Sequence, residues 1–152
     1  LFDILPDLKK VFIASDHGGF ALKQPIVDLL QAQVSVEDLG PASAASVDYP
    51  MFAQSLCLKI PSDTKDTFGI LICGSGQGMA MAANKFPHIR AAVLWSEESA
   101  ILSRAHNNAN VLCLGARLIA PELALKIVKV FFSTNFEGGR HQHRVDQIKL
   151  MT

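Results

Sequence analysis

Cys73 stands at the end of an apolar run and is followed at once by Gly74, Ser75, Gly76, Gln77 and Gly78, in the stretch Phe68 to Lys85, FGILICGSGQGMAMAANK. The run before the glycines reads as a buried strand. The Ala/Met-rich stretch after them reads as a helix. A strand that turns sharply into a helix brings its last side chain and the turn's N–H groups to one spot. The helix start adds partial positive charge and unpaired donors. Such a spot suits a phosphate, or an oxyanion formed during reaction. The same field favours the Cys73 thiolate. Two better-known glycine loops do not fit. A P-loop needs Gly-Lys-Ser/Thr after its four-residue gap, and Met79 and Ala80 supply neither. A dinucleotide fingerprint needs a third glycine where Met79 stands, usually after the first strand. By itself the loop is equally what a tight strand-to-helix turn requires.

Other chemistry-bearing residues are spread along the chain. Asp16 and His17 follow a first strand, Arg117 follows a fifth, and His106 and Asn107 lead into that fifth strand. Asp16 has an ordinary alternative as a turn or cap residue. Arg140 and Arg144 are four apart, so they share one face of a terminal helix, either as solvated charges or as an anion clamp. His141 and His143 are two apart, do not share a face and have no third ligand at metal spacing, so no metal is expected. Cys57 and Cys113 lie among apolar neighbours and read as small core residues. No CxxC pair is present, so neither a disulfide framework nor a zinc site is indicated.

These residues must be positioned by an alternation of strands and helices. Strands are expected at Val11 to Ser15, Val34 to Leu39, Phe68 to Cys73, Ala91 to Trp95 and Val111 to Leu114. Helices are expected from Phe20 to Gln33, Tyr49 to Leu58, the glycine turn to about Lys85, Ser96 to about His106, Pro121 to Phe132 and Arg140 to Leu150. Pro25 is expected either to delay the first helix to about Lys23 or to make it irregular there, because proline fits only the first turn. Strands alternating with helices over short loops make a Rossmann-like three-layer α/β/α sandwich on a five-stranded parallel sheet. Ligands of such sheets bind outside the carboxyl ends of the strands. His106 and Asn107 enter from the other end. At 152 residues the chain is read as one domain, able to bury about 70% of its unfolded surface. Lys+Arg and Asp+Glu are 14 each, so no bulk charge draws nucleic acid or an acidic membrane. No apolar stretch is long enough to span a bilayer. Unpaired cysteines suit a reducing cytoplasm.

Five ordered stretches carry a family resemblance: SDHGGFALK (Ser15 to Lys23), VDYP (Val47 to Pro50), GILICGSGQGMAMAANK (Gly69 to Lys85), HNNANVLCLGAR (His106 to Arg117) and EGGRHQHR (Glu137 to Arg144). Together they resemble the type B ribose-5-phosphate isomerases, whose superfamily includes allose-6-phosphate and galactose-6-phosphate isomerases. The resemblance implies cofactor-free aldose–ketose interconversion in the pentose phosphate pathway. It implies that Cys73 moves a proton between C1 and C2, and that Ser75 and the Gly74 to Gly78 amides steady the enediolate. His106 would open the sugar ring, with Asp16 nearby. His17, Asn107, Arg117, Arg140 and Arg144 would hold phosphate or sugar hydroxyls. It further implies a homodimer with shared active sites, or a tetramer of such dimers. Some members carry a carboxylate base where this chain has Met79, which puts it in the cysteine-base branch. Ser75 replaces a common threonine. Residues 1–10 precede the family's usual start as an N-terminal extension, and 138–152 form the C-terminal helix region. Six-carbon sugar phosphates are the first alternative substrates. A flavodoxin-like nucleotide or flavin domain and a catalytically silent sugar-phosphate sensor are the readings from other classes. An aromatic content of 7% speaks against the flavodoxin-like domain. The complete set Cys73, His106, Arg140 and Arg144 speaks against the sensor.

Overall fold

Seven consecutive buried residues, Thr67–Cys73, form the middle strand of the molecule. A strand buried on both faces needs helices on both sides. The computed structural model, which describes residues 1–151, supplies them. In chain order the elements are β1 (Lys10–Ser15), α1 (Phe20–Leu30), β2 (Ser35–Asp38), α2 (Tyr49–Lys59), β3 (Thr67–Cys73), α3 (Gln77–Ala83), β4 (Ala91–Val93), α4 (Glu97–Ala105), β5 (Val111–Gly115), α5 (Pro121–Phe131) and α6 (Arg140–Lys149). All pairings are parallel and the strand order is β2-β1-β3-β5-β4. The expected three-layer sandwich on five parallel strands is therefore what the chain forms.

Period-two alternation divides the strand side chains between two cores. Ile13, Ile70, Ile72, Leu112 and Leu114 join α1 and α5 on one face. Phe12, Ala14, Leu71, Cys73, Val111 and Cys113 join α2 and α3 on the other. On the first face Phe68 meets Phe131 edge-on at 6.1 Å and stacks on Phe132 at 6.0 Å. α4 begins at the Ser96 cap, where Ser96 and Ser99 form a reciprocal capping box. Residues before β1 also pack into the first core through Leu5 and Leu8, and the Leu5 N–H donates to the Phe132 carbonyl at 2.7 Å.

The first helix does not take the later start. α1 begins at Phe20 and continues through Pro25. Proline there removes only the bond to Ala21, close to the helix start. Leu22, Ile26 and Leu30 recur every fourth residue and are all buried. Their burial, about 1.5–3 kcal/mol each, outweighs the proline cost of roughly 3 kcal/mol. Lys23, also buried, donates to both carboxylate oxygens of Asp38 (2.8 and 3.0 Å) and to the Pro41 carbonyl (2.7 Å). That contact ties the exit of β2 to α1, and its charge is spent on structure.

Candidate active site

β1 and β3 are neighbours from which the chain winds in opposite directions, so their carboxyl ends open a crevice. Asp16 lies at the end of β1 and Cys73 at the end of β3. A cleft of about 460 Å³ opens there, lined by Asp16, Tyr49, Cys73, Gly74, Ser75, Gly78, Arg117 and Leu118. A slightly larger hollow of about 510 Å³ lies elsewhere, beside Phe86, Ile89 and Ile148. It gathers no comparable set of nucleophile, carboxylate and guanidinium, so chemistry rather than size selects the Cys73 cleft.

The glycine turn is shaped by its neighbours. Gly76 takes φ +78°, the left-handed region that favours glycine, and its N–H donates to Cys73 Sγ at 3.2 Å. The carbonyls of Cys73 and Gly74 accept from the N–H groups of Ala116 and Arg117 at 2.9 and 3.0 Å. The N–H groups of Gly74 and Ser75 have no partner among the described residues, leaving two donors for an oxyanion. Gly115 lets β5 approach the turn: a Cβ there would lie 2.7 Å from the Ser75 carbonyl carbon and oxygen.

One Asp16 carboxylate oxygen is engaged and the other is open to the cleft. Oδ1 accepts from the Gly19 N–H at 3.1 Å, the turn role anticipated for Asp16, while Oδ2 accepts no bond from the described chain. The Arg117 guanidinium lies over Gly74, where a Cβ would meet Nη1 at 3.2 Å. Both line the Cys73 cleft. The other two cysteines behave as core residues. Burial pushes the Cys57 thiol up to about 12, and burial with the neighbouring Cys73 and Cys57 raises Cys113 well above the usual thiol range. Met79 is fully buried and offers no substitute base.

Not every expected site residue reaches this cleft. His17 turns its Nδ1 toward Val47, 3.2 Å from the carbonyl oxygen and 3.3 Å from the amide nitrogen. Gln77 begins α3 and is exposed. His106 and Asn107 sit before β5, at the opposite end of the sheet, separated from the glycine turn by that strand's five residues, about 17 Å. There the His106 ring stacks on His141, with centroids 4.2 Å apart and planes at 10°. Arg140 and Arg144, both exposed on α6, are near enough to His141 to depress its proton affinity, after burial and the His106 ring; Glu137 opposes them. The expected set thus splits in two: Asp16, His17, Cys73, the turn Gly74 to Gly78 and Arg117 at one end of the sheet, and His106, Asn107, Arg140 and Arg144 at the other.

Tyr49 is a cleft residue that was not singled out from the sequence. Its ring packs on the first turn of α3, where a Cβ at Gly78 would meet two ring carbons at 2.5 and 2.7 Å and the hydroxyl oxygen at 2.8 Å. The VDYP stretch carried the signal, since Pro50 in the first turn of α2 sets where Tyr49 emerges.

Comparison with known proteins agrees with this geometry. A family model described as Ribose/Galactose Isomerase matches residues 11–148. The ribose-5-phosphate isomerase B of Escherichia coli K12 is 46% identical over 142 residues, covering 93% of this chain and 95% of that protein. The structure of ribose-5-phosphate isomerase B from Mycoplasma genitalium with bound ribulose-5-phosphate superposes with a TM-score of 0.89 at 48% identity, over 92% of this chain and 93% of that one. The Thermotoga maritima ribose 5-phosphate isomerase superposes with a TM-score of 0.88 at 47% identity, over 94% and 99%. With a cysteine, a carboxylate and an arginine gathered at the end of a parallel sheet, and likeness running nearly end to end, the chain belongs to the ribose/galactose isomerase family.

Proposed function

We propose that this enzyme interconverts ribose 5-phosphate and ribulose 5-phosphate through an enediolate, with Cys73 as the base. The observation that carries the reading is the Cys73 sulfur, held by the Gly76 N–H in a cleft with free donors and Arg117. Cys73 takes the proton from C2 of the open-chain aldose and returns it to C1. The negative charge that develops on oxygen meets the Gly74 and Ser75 N–H groups and the Ser75 hydroxyl, donors already in place. Asp16, through its uncommitted oxygen, suits proton movement at the sugar hydroxyls. No redox cofactor is required, because the electrons stay within the substrate.

The second cluster completes the site in a homodimer. His106 opens the sugar ring of the partner's substrate, while Arg140 and Arg144 hold its phosphate with Asn107. His17 and Arg117 contact substrate from the cysteine side. What supports this reading is the separation of two chemically complementary half-sites at opposite ends of one sheet. A two-fold dimer would bring them together twice.

Turnover of ribose 5-phosphate by purified protein, with chelator present, is the expected result. Comparing kcat/KM for ribose 5-phosphate and allose 6-phosphate tests substrate size, and a preference for the six-carbon sugar would replace the five-carbon assignment. Gly115→Ala tests the turn itself. Its methyl group would press on the Ser75 backbone, which has no flexible side chain to yield. A shift of about 1 Å in a catalytic turn costs on the order of 10²-fold in kcat. Unchanged kcat in folded Gly115→Ala protein would show that the turn's position does not matter to catalysis.

A further inference from the structure

Two arginines that the isomerase site does not use, Arg90 and Arg104, line a cavity of about 330 Å³. Arg104 is only 4% exposed. Its Nε donates to the Thr134 carbonyl at 3.2 Å, and its Nη1 to Asn108 Oδ1 and the Ala109 carbonyl at 2.9 and 2.6 Å. Nη2 has no partner among the described residues and is left for the cavity. Arg90 Nε donates to the Asn108 carbonyl at 2.8 Å, and neither of its Nη groups is bonded among those residues. Neither arginine forms an ion pair with a carboxylate there. Asp63, the carboxylate that bears on Arg90 through space, is bonded to Lys149 at 2.7 Å. Buried cations are normally paired, because taking a charge out of water is costly. Here burial, and then the like charge of Arg90, push Arg104 down to about 10, still cationic at neutral pH. The Phe68 and Phe131 rings, 4.8 and 5.7 Å from the Arg104 guanidinium carbon, help to hold it in place but bring no counter-charge.

We infer that this cavity binds a small phosphate-class oxyanion, gripped by the free guanidinium N–H groups of Arg104 and Arg90 with Lys65 at the rim. Guanidinium forks match phosphate oxygens, and a dianion would supply the counter-charge that both arginines lack. The volume lies at the low end for ligand pockets, so the occupant is a phosphate with at most a short carbon skeleton. Asp7, the one acidic residue in the lining, is exposed and opposes the anion. The site is distinct from the isomerase machinery. It is built at the amino ends of β1, β3, β4 and β5, across the sheet from Cys73. Gln142 lines it from the far side of α6, two positions and so about 200° around the helix from both Arg140 and Arg144. Leu5, Pro6 and Asp7 form one wall, and they precede the residues 11–148 matched by the family model. The inference therefore does not rest on the isomerase reading.

The test uses the full chain carrying Arg140→Ala and Arg144→Ala, which removes cations proposed to hold substrate phosphate. Inorganic phosphate, and separately glycerol 3-phosphate, are titrated while the arginine Nε–H signals are followed by NMR. The Arg104 and Arg90 signals should move together along one saturating curve. Arg90→Gln should weaken binding by about 10-fold or more, the usual loss when a bond to a charged group is removed. Asp7→Asn, an exposed change that does not threaten folding, should strengthen it by about two- to fivefold. Lys126→Ala, exposed on α5 away from the cavity, should change nothing. Tighter binding of glycerol 3-phosphate assigns the site to phosphate monoesters, and tighter binding of inorganic phosphate assigns it to the free ion; either result supports the site. Arg104 and Arg90 signals that stay still throughout both titrations overturn it. So does binding that is indifferent to both Arg90→Gln and Asp7→Asn, and the two arginines are then structural only.

Discussion

Cys73→Ser protein is expected to lose kcat by a factor of about 10² to 10⁴, the usual contribution of a positioned base. Serine keeps the size and the bond from the Gly76 N–H, but its hydroxyl gives up a proton far less readily than a thiol. The loss should therefore fall on kcat, with KM little changed, because Arg117 and the free turn N–H groups remain. Alkylation of wild-type protein should inactivate it, and saturating substrate should protect. The same reagent should spare Cys57 and Cys113, which are fully buried and whose thiolates are disfavoured by burial. Replacing either of those should cost stability rather than turnover. Near-normal kcat in Cys73→Ser protein would remove the cysteine from the base role and turn attention to Asp16.

Mixing Cys73→Ala protein with His106→Ala protein, each almost inactive, should restore roughly a quarter of wild-type activity after reversible dissociation. The argument follows from the two half-sites. If each site joins Cys73 of one subunit to His106 of the other, a mixed dimer carries both defects in one site and none in the other. Random pairing makes about half the dimers mixed, and half the sites in those are intact. If each subunit owned a whole site, every site would keep one defect and mixing would change nothing. Activity that stays at background after verified subunit exchange therefore ends the shared-site proposal.

The strand–helix alternation was legible in the sequence because each element is written in a few adjacent residues. Phe68 to Ile72 is continuously apolar, and Ser96 caps α4 where a cap was expected. Pro121 opens α5, and Leu22, Ile26 and Leu30 mark one face of α1. Of the two outcomes expected at Pro25, the later start did not occur, since local propensity says nothing about how much burial a helix will gain. One end of the candidate site was also legible as a grouping of residues. Once β1, β3 and β5 are parallel, the residues just after them must share one edge, which puts Asp16, Cys73 and Arg117 together.

By itself, then, the sequence determined the fold class, the family and the cysteine end of the site, because short-range pattern and ordered motifs carry that information. Only the tertiary structure decided the strand order, the Arg117 side chain lying over Gly74, the Tyr49 ring against Gly78 and the Lys23–Asp38 contact. It also decided that His106 meets Glu137 and His141, a contact that no spacing rule foretells. The reason is physical. A helix or strand is selected by neighbours within one or two turns, whereas contacts between distant segments depend on how the helices pack on both faces of the sheet, and that arrangement is settled by the whole core at once.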